Sequence, residues 1–204
     1  RILNGRNSGG TGAYQLGISS GDQFNFHPSI SVAGEMNTTM VFRDPHAWYH
    51  VVASLDTTQS TEADRYGFWV NGVDMRDDLS GAKPAQNLTV KLNENGVNQV
   101  IAAYQDSSFM NYWDGYLAEF VVIDGQKLDA DSFGEFDNNG VWRPISIEDA
   151  GLTFGNNGYY LPFTNSAGLG QDYSGVTTAS VVQKNTYNAG SEINDGDGGA
   201  NPST

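Results

Sequence analysis

Residues 48–75 read WYHVVASLDTTQSTEADRYGFWVNGVDM, and the way this stretch folds decides the architecture. Successive side chains on a strand point to opposite faces. In 48–55 that places Trp48, His50, Val52 and Ser54 on one face and Tyr49, Val51, Ala53 and Leu55 on the other. Both faces are largely apolar, which predicts a central strand covered on both sides, with Trp48 and His50 in the core and at its edge. Residues 57–64 are polar and read as a loop. A second strand is expected at 66–70. It ends on Asn71-Gly72, the pair favoured in a type I′ hairpin turn because both central positions need positive φ.

Working outward, period-two patterns dominate and predict more strands of the same kind. They fall at 13–18, at 38–42 (closed by Pro45, which cannot donate to a ladder), at 88–92, at 97–104, at 159–163 and at 176–182. The most apolar strand is expected at 116–123, YLAEFVVI, followed by an Asp124-Gly125 turn. One short helical turn is expected in LDADSFGEF, capped by Asp129 or Asp131. The sum is about nine or ten short strands with no alternating helices, which argues against parallel α/β folds. Two antiparallel sheets packed face to face bury such patterns. The expected fold is therefore all-β, a two-sheet antiparallel β-sandwich. The expected division is a β-sandwich over 1–145, C-terminal strands over 146–190 that complete it or start a second unit, and a flexible tail over 191–204.

Composition narrows the function. The chain has 204 residues, 38% hydrophobic and 12% aromatic, with 25 glycines and no cysteine. That is enough for a core carried largely by rings, and it removes thiol catalysis, disulfides and cysteine-ligated metals. The formal charge of −14 repels phosphate backbones and anionic lipid, so nucleic acid and membrane surfaces are poor partners. No apolar run approaches the roughly 18 residues that span a bilayer. No signal peptide is visible, and the start at Arg1 is expected of a fragment or a processed product.

Three strings, AWYHVVASLDTT, RYGFWVNGVDM and DGYLAEFVVIDGQKLDADSFGEF, follow in order. Together they resemble the laminin-G-like, concanavalin-A-like jelly-roll family, in which a Trp-His strand leads to a hairpin bearing Val-Asn-Gly. The longer YLAEFVVIDGQKLDADSFGEFDNNGVWRP and NNGYYLPFTNSAGLGQDYSG are similar to a version found in tail-fibre and other virion proteins of marine bacteriophages. The resemblance covers roughly residues 38–176. It implies a jelly roll and a place on the virion surface. It also implies contact with host glycans and other virion proteins, in a trimer or other homo-oligomer; the alternatives are a purely structural virion domain that packs protein against protein, or a polysaccharide-active enzyme of the same fold. With an acidic chain and no spanning run, membrane insertion is not expected.

Four classes of chemistry bear on these residues. Glycoside hydrolysis needs two carboxylates about 5–10 Å apart. Glu119 stands without an acidic neighbour on its strand face, so it is expected to be a paired or hydrogen-bonded structural acid, and no enzyme is expected. His27, His46 and His50 lack zinc-ligand spacing. Relatives in this family bind Ca²⁺ through oxygen-rich rim turns. The matching turns here offer Asp56, Asp64 and Asp137 as candidate ligands, alongside the 194–199 run NDGDGG. Sugar binding needs exposed rings beside hydrogen-bonding side chains. YQDSSFMNYWDGY, 104–116, supplies Asp106, Phe109, Asn111, Tyr112, Trp113 and Asp114 as the candidate carbohydrate patch; the competing expectation is that Trp113 and Tyr116 tuck into the core. Tyr159 and Tyr160 form a second candidate.

Overall fold

The structure, a computed structural model, describes residues 1–7, 14–29, 35–90, 92, 97–105 and 109–176. In chain order the strands begin with β1 (Leu3–Asn7), β2 (Tyr14–Ile18), β3 (Phe24–His27), β4 (Met36–Thr38) and β5 (Val51–Leu55). They continue with β6 (Tyr66–Val70), β7 (Val73–Asp74), β8 (Leu79–Ser80), β9 (Val97–Ile101) and β10 (Tyr104–Gln105). The last are β11 (Phe109–Met110), β12 (Phe120–Val122), β13 (Gly134–Phe136), β14 (Trp142–Pro144) and β15 (Tyr159–Leu161). Every pairing among them is antiparallel. The described residues are all-β, and their only helices are three single 3₁₀ turns.

Six strands form one sheet in the order β8-β4-β3-β2-β1-β9, and three form another in the order β5-β6-β7. Their side chains share one core. Leu3, Leu16, Phe26 and Met36 align across the larger sheet. They meet Tyr66, Phe68 and Val70 of β6, and Phe26 stacks on Phe68 with ring centroids 6.1 Å apart. The opposite face of β6 puts Trp69 into a second cluster with Val52, Ala130, Phe133, Ile147 and Tyr160. All five residues of β6 are buried, so a ring such as Phe68 contributes roughly 1.5–3 kcal/mol by leaving water.

The other face of the six-stranded sheet is polar yet buried. Asn4, Gln15 and Asn25 are all enclosed. Gln15 Nε2–H donates to Asn25 Oδ1, and Asn25 Nδ2–H donates to Glu35 and, at 3.1 Å, to Asn37. These amides tie β2, β3 and β4 together by side chains as well as backbone.

Several sequence expectations change. The central strand covered on both faces is β6; β5 is an edge strand that starts at Val51, and Trp48 is 65% exposed rather than part of the core. The 38–42 strand ends at its first residue. The Asp78 carboxylate accepts the amide N–H groups of Thr39 and Met40 at 3.0 and 3.1 Å, drawing the chain out of the ladder. Residues 88–90 are irregular because Thr57 fixes the chain just before them, donating to the Leu88 carbonyl at 2.9 Å and accepting from the Asn87 N–H at 2.7 Å. The 116–123 strand shrinks to β12, since Glu119 adopts φ +53°, which extended backbone does not allow. The 97–104 strand divides into β9 and β10 around Ala102, at φ +63°. The expected helical turn is a 3₁₀ turn, Ala130–Ser132; Asp129 stands at its N-cap position but makes no side-chain capping bond, and Asp131 lies within the turn. Two other 3₁₀ turns stand at Glu62–Asp64 and Arg76–Asp78. The hairpin at Asn71-Gly72 has positive φ at both residues. β15 pairs with β12. The expected 176–182 strand, beyond Val176, and the 191–204 tail lie outside the described residues.

Candidate functional site

An open groove of about 510 Å³ lies where the β6–β7 turn meets the β13–β14 hairpin. Its floor is Trp142, on β14. Positive φ at Gly72 brings the β6–β7 turn onto the indole, so closely that a Cβ there would lie 2.1 Å from a ring carbon. Gly134 presses on the same ring, with a Cβ that would lie 2.4 Å away. Phe136 adds an edge-to-face contact, centroids 5.0 Å apart. Neither glycine can carry a side chain while Trp142 keeps this position.

His50 stands behind the floor. Its N–H donates to Asn71 Oδ1 and its carbonyl accepts the Asn71 N–H, both at 2.8 Å. Trp142 Nε1–H donates to His50 Nδ1 at 3.1 Å. An Nδ1 that accepts must be unprotonated, so the imidazole is neutral with its proton on Nε2. Burial pushes the His50 pKa down, in the same sense. The mouth of the groove is apolar and open: Trp48 is 65%, Val73 54% and Phe136 52% exposed.

The 104–116 loop reaches Trp48 through one ring. Tyr116 is 86% exposed and its ring lies 6.4 Å from that of Trp48. Of the sequence candidates, Asn111, Tyr112 and Asp114 are exposed. Trp113 packs against the main core and its backbone N–H is held by the Ala102 carbonyl at 2.8 Å. Phe109 stands in β11, paired with Gln105, and Asp106 lies outside the described residues. The expectation of buried rings in this loop thus holds for Trp113 and fails for Tyr116.

The candidate cation ligands are separate turn residues. Asp56 accepts from the Thr58 hydroxyl and from Gln59 Nε2, each at 2.6 Å, and from the Thr58 amide at 3.1 Å. The Thr58 hydroxyl, then Gln59, hold its carboxyl below the ordinary value. Asp137 accepts the Val141 and Asn139 amides at 3.0 and 2.9 Å and pairs with Arg143 at 2.7 Å. The Val141 amide leads the causes that lower its pKa. Asp64 is an exposed end of a 3₁₀ turn. Among the described residues no three His, Asp or Glu side chains converge on a metal position.

A second cleft, about 360 Å³, is lined by Glu119, Ser146, Glu148, Tyr160 and Tyr173 among others. The Tyr160 hydroxyl donates to Glu119, as expected of a hydrogen-bonded acid. Burial, followed by Glu119, raises the Tyr160 pKa. Tyr160 and Tyr159 are both buried, which commits the second ring candidate to packing.

Sequence reasoning assigned no role to Trp142 and gave Trp48 to the core. Trp48 carries no signal of its own: it continues the apolar alternation of 48–55, and only the start of the ladder at Val51 leaves it outside. Nothing local signals Trp142, whose partner His50 is 92 positions away. No protein-family model matches the chain, and no curated protein or solved structure matches it.

Proposed function

We propose that the chain is a non-catalytic laminin-G-like β-sandwich that binds glycans at the Trp48–Tyr116 rim and the groove floored by Trp142. The sandwich reading is supported by the core that the six-stranded and three-stranded sheets share. Pairing of β15 with β12 supports counting the segment through 176 in the same unit. The observation that carries the binding reading is the exposed ring pair, Trp48 and Tyr116, 6.4 Å apart beside an open aromatic groove. Apolar side chains exposed together, as Trp48, Val73, Phe136 and Val141 are along this groove, mark interaction surfaces, and a sugar presents C–H faces that such rings cover while Asn71 offers hydrogen bonds.

The resemblance to bacteriophage tail-fibre and virion proteins extends this to a virion surface, where the domain would contact host glycans. Single sites of this kind are weak. Repetition in a trimer or other homo-oligomer raises avidity by about 10²–10⁴ without new contacts. The test is a glycan panel with wild type, Trp48→Ala and Tyr116→Ala. Loss of the Trp48 ring is expected to weaken binding by about 30-fold, the size of a hot-spot truncation near 2 kcal/mol. Equal binding by all three proteins overturns the reading.

A second reading, a polysaccharide-active enzyme, draws support from Glu119 and Glu148 lining one cleft. Turnover of a polysaccharide that Glu119→Gln abolishes would establish it over the first.

A further inference from the structure

We infer that the groove selects neutral glycans and rejects acidic ones, an inference that rests on the glycan-binding reading above. The described residues lining the groove include no Lys or Arg. Its one ionisable nitrogen base, His50, is held neutral because Nδ1 accepts from Trp142 at 3.1 Å. The arginines nearest in sequence to its lining residues are already neutralised. Arg143, between Trp142 and Pro144, pairs with Asp137 at 2.7 Å, and Arg76 pairs with Asp74, the neighbour of Val73, at 2.6 Å.

What the groove offers is rings, aliphatic surface and the amide of Asn71. These suit the C–H faces and hydroxyls of an uncharged sugar. A uronate, sialate or sulfate would lose water against apolar surface without a cation to pair with, which is costly. It would also approach a chain of net charge −14, whose repulsion is felt over a Debye length of roughly 8 Å at physiological salt. The ligand class is therefore a neutral polysaccharide with extended C–H faces.

The test uses the full chain and matched probes that differ only in charge. Neutral dextran, cello-, laminari-, xylo- and galacto-oligosaccharides are titrated beside their sulfated or carboxylated forms, by calorimetry in 0.15 M salt. Binding of a neutral member is expected, its charged counterpart at least about tenfold weaker, with Trp48→Ala and Tyr116→Ala each weakening the neutral complex. Val73→Lys, at an exposed groove position, is expected to narrow the gap by adding a cation. A charged member that binds more tightly than its neutral partner, and is displaced by salt, overturns this inference while leaving the glycan site intact if Trp48→Ala abolishes it. Binding unaffected by both ring substitutions overturns it by putting the sugar elsewhere. No binding to any probe, neutral or charged, sinks the glycan reading and the inference with it.

Discussion

Trp142 sits in a slot cut by two glycines and is pinned by one histidine, and each contact makes a separate expectation. Gly72→Ala adds a methyl at φ +75° where only 2.1 Å separates it from the indole. It should cost about 1–3 kcal/mol in urea unfolding, from strain and overpacking combined. His50 gives a pH dependence of definite sign. Burial lowers its pKa from 6.5, so the unfolded chain takes up its proton first on acidification. Its contribution to stability is complete above pH 6.5 and is lost as pH falls from there through the lowered folded value. Melting temperatures from pH 8 to pH 5 should decline in that window, and His50→Asn should flatten the decline. Asp56 and Asp137 already accept from hydroxyl, amide and guanidinium donors. Chelation with EDTA should therefore leave the melting temperature unchanged, and a fall of several degrees would show that a cation holds these turns.

Among the elements, β6 and its Asn-Gly turn were legible because five consecutive apolar or small residues and a turn dipeptide leave one local solution. The neighbours were less so. Glu119 at φ +53° cuts the 116–123 strand, and a glutamate does not announce a left-handed position as Asn71 does. Trp48 has the composition of a strand residue but lies before the β5 ladder begins, and its exposure follows from what packs nearby. The amides Asn4, Gln15 and Asn25 alternate with apolar residues, the pattern of a wetted face, yet they are buried, Gln15 donating to Asn25 and Asn4 to the Tyr14 carbonyl. That network carries its own expectation. Asn25→Ala leaves Gln15, Glu35 and Asn37 without a shared partner and should destabilise by about 1–3 kcal/mol in urea unfolding. A change under about 0.5 kcal/mol would mean that water replaces the amide.

For the whole molecule, composition foretold all-β structure through its glycine-punctuated short apolar runs. The candidate site was only partly legible, because it joins residues from three distant parts of the chain. Rings at 48 and 142 line one groove and the ring at 116 lies beside that of 48, whereas the local cluster at 104–116 divides, Trp113 going inward and Tyr112 and Tyr116 outward. Spacing along the chain registers a loop that is rich in rings; it does not register which ring a distant hairpin will meet. The proposed binding of sugar at that composite site is tested most directly by an amide and indole NMR titration of the full chain with neutral oligosaccharides. Shifts concentrated at Trp48, Asn71, Tyr116 and Trp142 are expected. Shifts centred on Glu119 and Tyr160 in the other cleft, or none with any sugar, would contradict it.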